Sequence, residues 1–263
     1  MRICLTFLAI LCASWLNAQE VSHALTVGVG AINVYDSYLT PLEYSGTEIR
    51  VQRETFRQTH LMNNKVYVQT LLNAHASYGR NESLNGKMYE GILNWNIGWL
   101  HKWELNEKLA ILAGPMADLN AGFIYNERNT NNPAQGKVYV NADVSGMADY
   151  HFSLWKHNFR LRYQLSLPVL GLMFSPEFGE SYYEMFGQQH FGWHNVAVTT
   201  PFSQPSLRQS LYLDFTWHNT NLRVGYVGDL HQSKVNRIEC HTYSHAIMVG
   251  VIKNFLINKK PIQ

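Results

Sequence analysis

The chain has 263 residues, of which 46% are hydrophobic, 13% aromatic and 15% charged, and its formal net charge is +2 with histidine neutral. It contains no basic tract of the kind that grips nucleic acid, and after residue 18 no apolar run approaches the ~20 residues of a membrane-spanning helix. A membrane role would therefore fall to strands, because only helices and closed barrels satisfy their backbone polar groups in lipid.

Taken in chain order, Arg2 precedes an apolar run from Ile3 to Leu16, and Asn17-Ala18-Gln19 offers a small residue at which to cleave. This reads as a secretory leader over 1–18, too short in its apolar part to span, with 19–263 as a single domain. Leu11 is too bulky for Cys12 to be a lipid-modified cysteine. Cys4 and Cys12 depart with the leader, Cys240 is left alone, and no intramolecular disulfide is expected.

Beyond the leader the signal is a period of two. Tyr89, Leu93, Trp95, Ile97 and Trp99 alternate with Glu90, Asn94 and Asn96. From Val138 to Leu154 the even positions are apolar and end in Tyr150, Phe152 and Leu154, while the odd ones include Asn141, Asp143, Asp149 and His151. From Phe159 to Met173 an odd apolar face opposes Arg160, Arg162, Gln164 and Ser166, and Leu207 to Trp217 sets an apolar odd face against Arg208, Ser210 and Asp214. Strands are predicted near 22–35, 47–60, 65–79, 88–103, 108–125, 138–154, 158–173, 206–217, 221–233 and 239–257. The connections at 61–64, 104–107, 155–157 and 218–220 read as tight and those at 36–46, 80–87, 126–137, 174–205 and 234–238 as mostly longer, so that short and long are expected to alternate strictly, as periplasmic turns and extracellular loops do.

A soluble sandwich or lipocalin-like barrel shows the same alternation turned inside out. Length favours the membrane. The predicted strands reach roughly 40–55 Å at ~3.3 Å per residue, whereas strands of soluble proteins average about 5–6 residues. Aromatics at the ends of the apolar faces (Tyr89, Trp99, Tyr150, Phe152 and Trp217) suit interfacial girdles. The expected fold class is all-β, an antiparallel up-and-down transmembrane barrel of about ten strands with both termini on the periplasmic side. Twelve strands would require 194–201 as an additional strand and a further strand to partner it, for which the sequence offers no candidate.

The stretches TPLEYSGTEIR, GPMADLNAGFIYNERNTNNPAQ, VSGMADY, FSPEFGESYYEMF, PSLRQSLYLDF and LRVGYVGDLHQSKVN cover much of the mature chain. In them the sequence resembles an uncharacterised family of exported Gram-negative proteins, a domain of unknown function grouped with outer-membrane barrels. The resemblance implies location in the outer membrane and architecture; it brings no activity, cofactor or catalytic residue.

Candidate sites fall on the inward face and at the extracellular mouth. Asp118, Asp143, Asp149, Asp214 and Asp229 face Arg160, Arg162, Arg208 and Arg223 in near balance, either as a plug of paired charges or as the lining of a narrow channel or ligand cavity. His75 and Ser77 share one face of a strand, and a hairpin about residue 84 sets Glu90 opposite Ser77, or Asn94 opposite His75. Such a pair suits a base and a nucleophile, and it is similar to the His-x-Ser arrangement of outer-membrane phospholipase and lipid A deacylase barrels, but it points inward, away from acyl chains. Asp229-Leu230-His231 resembles half of the acidic and histidine set of the omptin proteases, in which such a pair activates water; Asp143, Glu239 and His241 are the substitutes for the missing half. His241 and His245, about 13 Å apart on one face, lie too far apart to chelate one ion, and His190, His231 and His241 would have to meet across loops; no metal or other cofactor is expected.

The connection from Phe174 to Pro205 carries Phe178, Tyr182, Tyr183, Phe186, Phe191 and Trp193 with few charges. It suits either self-packing or stacking against a small polar or glycan ligand. The expected partners are outer-membrane lipid and such a ligand, without nucleic acid. The reading is a non-enzymatic barrel, structural, ligand-binding or narrowly conducting, with the hydrolase chemistries as the alternative. A folded barrel of this kind migrates on a gel apart from the boiled chain and needs detergent to stay in solution; a protein soluble without detergent, with one heat-independent band, would contradict it.

Overall fold

The computed structural model describes residues 20–155 and 157–256; the leader expected over 1–18 lies outside them. Ten long antiparallel strands close into one barrel: β1 (Glu20–Asp36), β2 (Tyr44–Gln58), β3 (Val66–Asn81), β4 (Lys87–Glu104), β5 (Leu109–Asn126), β6 (Ala134–Leu154), β7 (His157–Phe174), β9 (Leu207–Trp217), β10 (Thr220–Val235) and β11 (Ile238–Leu256). Neighbours in sequence pair in turn, β1 pairs with β11, and β6 with β7 completes the ring, so the interior strands have no free edge. The β1–β11 register, which sets Glu20 opposite Leu256, places the start of β1 and the end of β11 at one rim, the terminal end, opposite the loop end that carries 175–206.

The side on which the polar residues fall decides between lipid and water. Val29, Ile49, Leu170 and Ile247 point outward with 67%, 64%, 55% and 69% of their surface exposed, whereas Glu48, Arg50, Asn94, Asp118 and Arg162 are buried within. Each such outward side chain forgoes roughly 1.5–3 kcal/mol if left in water, so this wall belongs in hydrocarbon. Rings gather toward its two borders: Tyr150, Phe152, Phe159 and Phe215 stack in sequence near the terminal end, and Tyr78, Tyr89 and the Tyr226–His245 pair lie toward the loop end.

Three details differ from the sequence reading. Residues 234–238 form a tight two-residue turn, with Asn236 and Arg237 both at positive φ, so β10 and β11 run on as a hairpin above their neighbours and the expected strict alternation of short and long connections is broken. In β7 the register slips between Leu170, opposite Ala142, and Pro168, opposite Asp143. This bulge turns Gly171 and Met173 into the lumen, although straight alternation placed them on the outer face. Val196–Thr199 forms a short strand, β8, which pairs with Gly171–Phe174 of β7 above the point where β9 pairing stops at Ser166. The additional strand therefore shares a partner with β9, and the barrel remains ten-stranded.

The bulge creates a crowded spot. A Cβ at position 171 would stand 2.1 Å from Asn141 Oδ1, 2.6 Å from Thr199 Oγ1 and 2.9 Å from the Val140 carbonyl oxygen. Gly171→Val is expected to lower stability by roughly 1–3 kcal/mol, read as an earlier urea midpoint for loss of the fast-migrating folded band; an unchanged midpoint would contradict the close packing of β6, β7 and β8.

Candidate functional site

Alternation sends one polar set from every strand into the lumen, where desolvation makes pairing compulsory. Near the terminal end Glu54 of β2 takes Arg162 of β7 at 3.1 and 2.7 Å, Gln69 of β3 at 2.7 Å, and the guanidinium of Arg223 from β10. Arg223 also forks onto Asp214 of β9 at 2.7 and 2.8 Å and lies 4.9 Å from the centre of the Tyr212 ring. Below this cluster Arg160 clasps Asp149 at 2.8 and 2.6 Å.

At mid-lumen Arg208 reaches Asp229 at 3.2 Å, Asn94 and Asn96 at 2.9 Å each, and Asp118 at 3.6 Å. Toward the loop end Arg50 donates to Glu48 at 3.1 Å and to the Ser244 hydroxyl at 2.8 Å, and Lys137 pairs with Asp36. Asp143 also faces inward, but no ion pair joins it to a described residue, and its Oδ1 has no hydrogen-bond partner.

Apolar clusters close this polar column at both ends. Ile32, Val34, Leu39, Tyr44, Met88 and Ile124 pack together at the loop end, and Phe56, Leu100, Leu112 and Met147, with Tyr67, at the terminal end. Between them lie cavities of ≈ 30 and ≈ 20 Å³, room for about one or two waters each. Arg50 Nη1, Asn73 Oδ1 and both ring nitrogens of His75 border the larger one without hydrogen-bond partners.

Ser77 stands opposite Glu90, while His75 stands opposite Ile92, so the alternative of Asn94 facing His75 is not the one formed; Asn94 faces Asn73. The Ser77 hydroxyl donates to Glu90 at 3.4 Å rather than to His75, and Glu90 also accepts from Thr242 at 2.9 Å. His75 Nε2 lies 3.5 Å from Glu90 without hydrogen-bond geometry. The carboxylate thus stands where a nucleophile's base would be needed, and the imidazole does not contact the hydroxyl.

Asp229 and His231 share the inward face of β10 but serve different partners. Arg208 and Arg50 hold Asp229, whereas His231 stacks on Tyr139 at 4.6 Å and meets the Gln204 amide at 3.0 Å. Glu239 and His241 point outward, His241 beside Tyr35 and Tyr243, so neither can join Asp229 or His231. Among the described residues no three His, Cys, Asp or Glu side chains group to hold a metal ion.

The long connection folds over the loop-end rim. Tyr183–Gly187 forms one turn of π-helix and Trp193–Asn195 one of 3-10 helix. Tyr182 packs between Tyr38 and Phe174 and accepts from the Gly136 N–H at 2.6 Å, Tyr38 donates to the Glu180 carbonyl at 2.8 Å, and Met185 is fully buried. Glu184 caps the turn through the Ser181 N–H and hydroxyl, which hold its carboxyl below the usual carboxylate range. Phe186 stacks between Tyr182 and Phe191, yet Tyr183, Phe186 and Trp193 remain 71%, 58% and 89% exposed.

The charged members of the network that sequence reading missed are Glu48, Arg50 and Glu54 on β2, and the pair Asp36 and Lys137. In the stretch Glu48-Ile-Arg-Val-Gln-Arg-Glu54, Arg53 breaks the outward apolar row and blurs the alternation; the regular spacing of Glu48, Arg50 and Glu54 was the available signal. Arg223→Ala would leave Glu54 and Asp214 short of a buried cation and is expected to cost about 3–5 kcal/mol, measured as a lower urea midpoint of the folded band. A loss below ~1 kcal/mol, the range of exposed pairs, would contradict the buried cluster.

Among solved structures, the transport unit of the autotransporter AIDA-I from Escherichia coli is similar at 8% identity, covering 91% of this chain and 91% of that one with a TM-score of 0.50. The outer membrane protease OmpT from Escherichia coli matches at 5% identity over 90% of this chain and 97% of its own, TM-score 0.49, and an outer membrane channel from Pseudomonas putida F1 at 9% over 91% and 96%, TM-score 0.40. No curated protein matches the sequence. Identity this low bears on fold alone, and the AIDA-I likeness agrees with a closed outer-membrane barrel. A family profile described as "Protein of unknown function (DUF3316)" matches residues 5–261, nearly the whole chain, and the protein belongs to that family.

Proposed function

We propose that this protein is a sealed, non-enzymatic outer-membrane barrel, exported by its 1–18 leader and oriented with the loop end outward, whose activity is binding at that end rather than conduction. The observation that carries this reading is the packed lumen: two apolar clusters flank a column of mostly paired charges, and the two cavities described between them have room for about one or two waters each. An ion would have to displace side chains whose charges are already neutralised by partners. The separation of the Ser77 hydroxyl from His75, and the capture of Asp229 by two arginines, speak against acyl hydrolase and omptin-like protease chemistry.

A binding role draws support from the loop itself. Its lower rings are held by packing while Tyr183, Phe186 and Trp193 face solvent, an arrangement suited to stacking on a small polar or glycan ligand. Purified protein in planar bilayers is expected to give no stable conductance step, and vesicles carrying it should exclude small sugars. Reproducible steps from the wild-type chain would overturn the sealed reading. Release of fatty acid from phospholipid or lipopolysaccharide, abolished by His75→Ala, would overturn the non-enzymatic one.

A further inference from the structure

On the outer wall at the loop end, β1, β10 and β11 border a groove of ≈ 490 Å³, within the size range of small-ligand sites. One bank is the segment 200–206, tied to β10 by the Lys234 N–H donating to the Ser203 carbonyl at 2.8 Å and by the Ser206 hydroxyl donating to the Gln232 carbonyl at 3.2 Å. Two rings line the floor, His241 and Tyr35, with centres 5.5 Å apart, and Tyr243, outside the lining, backs His241 in a parallel stack at 4.3 Å. Asn33 holds the imidazole at 2.7 Å, and the Tyr243 hydroxyl donates to Gln232 at 2.5 Å. Phe202 stands on the rim with 98% of its surface exposed.

Position narrows the occupant. Tyr35, Gln232, Lys234, Glu239 and His241 sit on the same outward faces as Val29, Ile247 and Val249 further down the strands. From Ile247 to His241 the chain climbs roughly 20 Å at ~3.3 Å per residue, or about 15 Å along the membrane normal at the ~40° tilt of such barrels. The groove therefore opens sideways at the level of lipid headgroups, above the apolar band and outside the lumen.

Charge and shape narrow it further. Lys234 is paired with Glu239, and Glu43 adds a second carboxylate, so among the described residues no unpaired ammonium or guanidinium lines the groove to receive a phosphate. A sugar fits what is present: its C–H faces lie on rings, and its hydroxyls meet Gln232 and Glu43. We infer that this groove seats the sugars that a glycolipid of the surrounding leaflet carries beyond its acylated saccharide. The inference rests on the outward orientation of the loop end proposed above, and it is independent of whether the lumen is sealed.

The test uses the full chain in nanodiscs of phosphatidylethanolamine and phosphatidylglycerol, titrated with lipopolysaccharide bearing core sugars, with lipid A lacking them, and with free core oligosaccharide, bound ligand being counted by native mass spectrometry. The core-bearing lipid is expected to bind about tenfold more tightly than lipid A, and Phe202→Ser combined with His241→Ala to remove that preference, as loss of two ring contacts implies. Phe202→Ser alone, at a side chain almost wholly exposed, should weaken binding in the same direction while the heat-modifiable band stays unchanged. Equal binding of the two lipids, variants that bind as wild type, or a preference for phospholipid overturns the inference, and free oligosaccharide binding as tightly as the anchored form overturns the glycolipid source. Conductance with the sugar preference intact would count against the sealed lumen alone.

Discussion

Everything in this barrel follows from closing a strongly alternating sheet in lipid. Backbone N–H and C=O groups pair along the ladders between neighbouring strands, so the outer face can be largely apolar. The same period of two then delivers an equal number of inward side chains into a space too narrow to hydrate them. Charges confined there must pair, and the arginines of β2, β7, β9 and β10 do so with carboxylates drawn from several strands.

That pairing also governs what the protein can do. An arginine bound to two acids is a structural strut, and an aspartate gripped by two arginines is not free to activate water. The motif-like spacings at Ser77, Asp229 and His231 are thus absorbed into the column, each side chain held by a partner other than the one a catalytic mechanism requires, and His75 borders a cavity with neither ring nitrogen hydrogen-bonded. With the interior packed, exposed rings remain at the loop end, on the long connection above and, as Phe202, at the rim of the groove on the wall beside it.

The bulge in β7 connects these two levels. It reverses the facing of the strand above Pro168, brings Met173 inward, and leaves the top of β7 free to pair with β8. The long connection can then be fastened to the wall by a strand of its own and by Tyr182 against Phe174, so that its apex presents rings without collapsing into the mouth.

The architecture was legible because side-chain alternation is local: the faces of β4, β6 and β9 can be read from residues two apart, and strand length then distinguishes a bilayer from a soluble core. Hairpin register gave Ser77 opposite Glu90 by the same local logic. Contacts between distant strands were not legible. That Glu54 meets Arg162 and Arg223, that β8 shares β7 with β9, and that Tyr35 and His241 form one shelf depend on closure of the ring and on a single slipped residue, which reverse or juxtapose faces separated by more than a hundred positions. By itself the sequence determined a long-stranded barrel with a polar interior, because period and length act strand by strand. Only the tertiary structure decided which charges pair, whether the lumen is filled and which rings are free, because burial and pairing are properties of the closed ring.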